Sequence, residues 1–92
     1  MVLDPNPYTV SRGEQVLELP KKEFELLYKL LSYPGQIFTR NQLLDDIWGF
    51  DSESGEDTVK TNISRLRNKL RAIEEFRIIT IKGLGYKAEV LE

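Results

Sequence analysis

Between Thr58 and Ala72 the chain carries no acidic residue, while Val59, Ile63, Leu66, Leu70 and Ile73 recur at steps of four, three, four and three. Such steps draw one stripe down an α-helix, because each residue advances about 100° around the axis. The spacing predicts a helix over 57–72 with its apolar stripe on a core. Lys60, Arg65, Arg67, Lys69 and Arg71 fill the gaps, and Arg77 follows. A helix that needs only solubility gains from Glu–Lys pairs four residues apart. This one instead combines a core face with concentrated positive charge.

That concentration contrasts with a net charge of −2. Residues 1–57 hold five basic and eleven acidic side chains, a balance of −6, whereas residues 58–87 hold eight basic and two acidic, a balance of +6. Polyanions respond to local potential, so the basic segment is the candidate binding surface. The 92 residues, read as one domain over 1–92, allow a thin core. The absence of cysteine and histidine removes thiolate chemistry, the commonest general base and the commonest metal ligand. The chain is therefore read as a non-enzyme with no cofactor and no metal, and Asp45, Asp46, Glu74 and Glu75 as solvated acids. It contains no apolar run of about 18 residues and no signal-peptide pattern, so the cytoplasm is expected and a membrane partner is not.

Along the chain, "YTVSRGEQVLEL" reads as two strands with a turn at Arg12-Gly13, and "MVLD" as a short edge segment before Pro5 and Pro7. "PKKEFELLYKLLSYPG" reads as a helix with a broad apolar face, Pro20 in its first turn and Pro34-Gly35 at its end. In "FTRNQLLDDIWG", Thr39 and Gln42 form a capping box, Phe38 and Leu43 occupy the positions of a hydrophobic staple, and Gly49 closes the helix. "FDSESGE" is a loop, with Ser54 or Asp57 placed to cap the next helix. "RIITIKGLGYKAEV" reads as a hairpin with a glycine-rich tip. The sum is an α+β fold: an N-terminal antiparallel sheet, three helices and a C-terminal hairpin.

Opposite the stripe of the basic helix lie Asp57, Thr61, Ser64, Arg65 and Asn68. Lys60, Arg67 and Arg71 lie on one flank, Asn62 and Lys69 on the other. A DNA major groove admits one helix. Arginine reads guanine, asparagine reads adenine, and short hydroxyl side chains meet base edges. Flanking cations neutralise phosphates on the groove walls. A helix standing on a core after another short helix is the helix-turn-helix plan, and the hairpin over 77–90 is then a wing. The rival reading is a protein-interaction module that docks an acidic partner. The aromatic residues fall mostly at apolar-face positions, which disfavours a single-strand RNA reader.

Four motifs, "LPKKEFELLYKLL", "GQIFTRNQLLDDIWG", "TVKTNISRLRNKL" and "IITIKGLGYK", occur in order over essentially the whole chain. Together they resemble the C-terminal effector domain of OmpR/PhoB-type two-component response regulators. The resemblance implies a winged helix-turn-helix with four strands before the first helix. It implies sequence-specific binding to direct repeats in promoter DNA, by two copies head to tail. It places DNA contacts at Asn62, Ser64, Arg65 and Arg67 of the helix, at Thr80, Lys82 and Tyr86 of the wing, and at Trp48 on a phosphate. It implies that the loop with Phe50, Asp51, Glu53 and Glu56 faces RNA polymerase. A receiver domain and a sensor kinase are the implied partners of the full-length protein. The receiver is absent from this chain, which reads as an excised effector domain, with a receiver-less protein as the alternative. With the groove geometry, Thr61, Ser64, Arg65, Asn68 and Asn62 are the expected base-facing residues. Lys60, Arg67, Lys69, Arg71 and Trp48 are expected on phosphates, and Thr80, Lys82, Tyr86 and Lys87 in the wing.

The chain departs from the family pattern where an arginine is frequent and Asp57 stands, where a histidine is frequent and Asn62 stands, and where Pro20 replaces a threonine. The base preference of relatives therefore does not transfer to this helix.

Overall fold

A computed structural model describes residues 2–5, 8–49 and 56–91. Three short strands, β1 (Val2–Asp4), β2 (Thr9–Arg12) and β3 (Gln15–Glu18), form an antiparallel sheet in that order. Leu3, Val10 and Leu17 stand in one cross-strand row, with Val10 in the core and Leu3 and Leu17 packed against it. Val2, Ser11 and Val16 make the next row on the opposite face, as the two-residue period of a strand requires. Arg12 pairs with Gln15, so the turn is Gly13-Glu14, one residue later than the sequence suggested.

Helix α1 (Lys21–Ser32) buries Phe24, Leu26, Leu27 and Leu30 of its broad apolar face, while Tyr28, at the same helical spacing, is exposed. Pro20 sits at the cap, just outside the first helical residue, where its missing N–H costs nothing. The α1 helix packs on α2 (Arg40–Ile47), on α3 (Glu56–Lys69) and on the terminal hairpin. Lys22 and Lys29 lock it to α2. The Lys22 ammonium donates to the Ile47 carbonyl at 2.6 Å, at the negative end of the α2 dipole, and Lys29 pairs with Asp46 at 2.7 Å.

The capping box of α2 is formed. The Gln42 N–H donates to Thr39 Oγ1 at 3.1 Å, and the Thr39 N–H donates to Gln42 Oε1 at 2.8 Å. Phe38 and Leu43 are both buried. Gly49 closes the helix with φ of 77° and an N–H bond to the Leu44 carbonyl. Thr39→Ala is expected to lower stability by about 1 kcal/mol, read as a shifted urea midpoint with an unchanged slope.

The resemblance implied four strands before α1; among the described residues there are three. The further strand, β4 (Phe38–Thr39), instead joins the hairpin strands β5 (Phe76–Ile81) and β6 (Gly85–Val90) in a second sheet of order β4-β6-β5. A glycine makes this possible. Gly85 pairs with Thr39, and a Cβ on it would stand 1.9 Å from the Phe38 carbonyl oxygen. Gly85 belongs to the glycine-rich segment of the hairpin, but it serves this close approach and not the tip turn. The tip turn is Lys82-Gly83-Leu84, with Gly83 at φ of 76° and the Leu84 N–H bonded to the Ile81 carbonyl.

Helix α3 ends at Lys69, three residues short of the expected 72. The apolar period runs on because a turn carries Leu70 into the core and sets Ile73 against it. Arg12 of β2 fastens that turn, pairing with Glu75 at 2.7 Å and donating to the Ala72 carbonyl.

Candidate nucleic-acid interface

Val59, Ile63, Leu66 and Leu70 are all at most 5% exposed, so the core holds α3 along its whole length. The other side of the helix therefore has a fixed orientation. Thr61, Ser64, Arg65 and Asn68 are exposed there, with Lys60 and Arg71 exposed beside them. The polar strip expected from the helical period is brought together with two of its four expected flanking cations, Lys60 and Arg71. Asp57 is exposed in the first turn of α3, where a carboxylate suits the positive end of the helix dipole.

Three residues of α3 expected on DNA have partners within the protein. The Asn62 amide donates to the Thr58 carbonyl one turn back, at 2.8 Å, and the side chain is half-buried. Arg67 donates through Nη2 to the Ile78 carbonyl and to Thr80 Oγ1, each at 2.8 Å. Lys69 pairs with Glu23 at 2.8 Å, and that carboxylate, on α1, is 3% exposed. An ammonium neutralised by a buried carboxylate has little potential to offer a phosphate.

In the wing, Thr80 and Lys82 are exposed and Lys87 is half-buried. Tyr86, expected as an outward wing contact, is 4% exposed; it pairs across the sheet with Phe38 and Thr80, and its ring belongs to the core. Trp48 is half-buried against that core. Phe50, Asp51, Glu53 and the cap candidate Ser54 lie outside the described residues, and Glu56 is described only as the first residue of α3. A groove of about 590 Å³ lined by Tyr8, Phe24, Tyr28, Lys29, Tyr33 and Asp46 draws no residue from α3 or the wing.

Two features that set this geometry, the buried Glu23 and the bonds of Arg67 to the wing, are absent from the sequence-based expectations. Glu23 had a signal. It stands four and seven residues before Leu27 and Leu30, on the core stripe of α1, where an acid needs a cationic partner. The Arg67 link had none, because its partners lie 11 and 13 residues away across a turn.

A helix anchored by its stripe, preceded by a capped short helix and followed by a three-stranded wing sheet, defines a winged helix-turn-helix. Residues 13–88 match the family described as transcriptional regulatory protein, C terminal. The chain belongs to this family. It is 41% identical over 90 residues to the heme response regulator HssR of Staphylococcus saprophyticus, and 46% identical over 78 residues to HssR of Staphylococcus aureus. These alignments cover 97% and 84% of the chain but only 40% and 35% of the relatives' lengths. Among solved structures, the DNA-binding domain of Bacillus subtilis CssR superposes with a TM-score of 0.80 at 27% identity, over 95% of this chain and 97% of that one. The Klebsiella pneumoniae RstA DNA-binding domain in complex with the RstA box gives 0.77 at 34% identity, over 95% and 88%.

Proposed function

We propose that this chain is the DNA-reading output domain of a two-component response regulator. The observation that carries the reading is the exposed, acid-free strip of Thr61, Ser64, Arg65 and Asn68, on a helix whose other face is immobilised in the core. In this reading α3 lies in the major groove with those four side chains at base edges. Lys60 and Arg71 neutralise phosphates on the groove walls, and Trp48 offers its indole N–H to another. The wing supplies Lys82 and Lys87 at the neighbouring minor groove. Asn62 keeps its carbonyl oxygen as an acceptor.

The reading extends to the longer protein. A receiver domain, phosphorylated by a sensor kinase, controls the output in the cytoplasm. Two copies bind head to tail on direct repeats in promoter DNA. The segment with Phe50, Asp51, Glu53 and Glu56 meets RNA polymerase. The role is binding, with no bond made or broken.

Selection from a randomised duplex pool, followed by titration at several salt concentrations, tests the reading. The expected result is a recovered direct repeat and a log–log salt slope of about −3.6 for each bound copy, for four cations at about 0.9 each. Salt-sensitive binding with no recovered motif would mean that α3 meets phosphates alone. Absence of binding at low salt would favour the rival, an acidic protein partner.

A further inference from the structure

Arg67 is the residue through which the groove-reading helix and the wing touch by hydrogen bonds among the described residues. One guanidinium nitrogen reaches both the Ile78 carbonyl and Thr80 Oγ1 at 2.8 Å. Both acceptors lie on β5, which pairs with β6 on one side only and is the edge strand of its sheet. Hydrogen bonds from a charged donor are roughly twice as strong as neutral ones, and a planar guanidinium fixes direction as well as distance. Ile78 is buried and anchored, whereas Thr80 is exposed on the way to the tip. The two bonds thus straddle the point where β5 leaves the core and becomes the wing.

We infer that Arg67 is a positioning residue that locks the wing to α3, so that the two grooves are read at one fixed angle. The inference rests on the DNA-reading function proposed above and departs from a phosphate-contact role for Arg67. The turn at Lys82 lies four residues beyond Ile78, a lever of roughly 13 Å at about 3.3 Å per residue. A tilt of about 10° at its base moves the tip by roughly 2 Å, which is enough to break a hydrogen bond to DNA. The ladders that hold the hairpin, β5 on β6 and β6 on β4, supply no bond to α3 that resists this tilt.

The test uses the whole chain and the duplex selected by it. Arg67→Gln, Arg67→Lys, Thr80→Val and the double variant Arg67→Gln/Thr80→Val are titrated across salt, on the full site and on a duplex that ends before the wing contact. The expected result is a several-fold loss for Arg67→Gln on the full site and none on the short duplex. The salt slope is unchanged, and Arg67→Lys does not restore affinity. The double variant loses no more than Arg67→Gln does. A slope reduced by about 0.9 and restored by lysine identifies a phosphate ligand and overturns the inference. Additive losses at Arg67 and Thr80, or no loss at Arg67, overturn it as well. If Arg67→Gln does not fold in a thermal melt, Thr80→Val carries the test through the same comparison of full and short duplexes. Failure of the unaltered chain to select any sequence defeats the DNA-reading function itself and is seen before any variant is made.

Discussion

Arg65→Ala is expected to weaken binding to the selected site by about 1–3 kcal/mol and to relax preference at one base pair. Arg65 stands at the centre of the exposed strip, between Ser64 and Asn68 and one turn from Thr61. Among the described residues its guanidinium has no hydrogen-bond or ion-pair partner, so it is available in the planar geometry that pairs with guanine O6 and N7. Arg67, two residues on, faces the wing and is bonded there. The two arginines look equivalent by composition but differ by about 200° around the helix axis. Competition titrations with single-base variants of the site separate their roles. The Arg65 variant should lose discrimination at one position while its affinity for unrelated duplex changes only by one phosphate-like charge. Retained discrimination at every position would remove Arg65 from the base-reading strip.

Local patterns made much of this architecture readable. The apolar steps of four and three located α3 and its buried anchors Val59, Ile63 and Leu66. The Thr39–Gln42 pair located the start of α2, because a capping box depends on residues only three apart. What escaped the sequence was set by contacts across the fold. Leu70 and Ile73 kept the helical period beyond Lys69 because a turn, like a helix, can deliver apolar residues to a core. Gly85 looked like part of a turn, and only the approach of Phe38 from another part of the chain explains it. The fixed exposure of Thr61, Ser64, Arg65 and Asn68 followed from the stripe opposite them. By contrast, Arg67, Lys69 and Tyr86 changed place because each meets a partner distant in sequence. Helical periodicity says which side of α3 a cation occupies, not which carboxylate or carbonyl is waiting there.

Lys69→Met is expected to destabilise the fold by about 3 kcal/mol, a large share of the 5–15 kcal/mol typical of a small domain. The reason is the carboxylate it abandons. Glu23 is 3% exposed, and Lys69 Nζ is its hydrogen-bond partner at 2.8 Å. Removing one member of a buried pair strands the other charge, at a cost of about 3–5 kcal/mol. The lower end applies because the Lys69 side chain is 36% exposed and water reaches its end of the pair. Methionine keeps the length of the stem, so lost packing contributes little. Glu23→Gln should cost less, since it removes the buried charge itself and leaves an amide that hydrogen-bonds. The double variant Glu23→Leu/Lys69→Met should recover most of the loss, because a well-packed apolar pair needs no desolvation. Urea unfolding of the four proteins ranks these costs, and Glu23→Leu alone, measured beside them, closes the cycle of Lys69→Met with Glu23→Leu. The DNA arm of the experiment sets the two roles of Lys69 apart: a strut between α3 and α1 leaves the salt slope of the folded variant unchanged. A variant as stable as the parent, with a slope smaller by about 0.9, would return Lys69 to the phosphates.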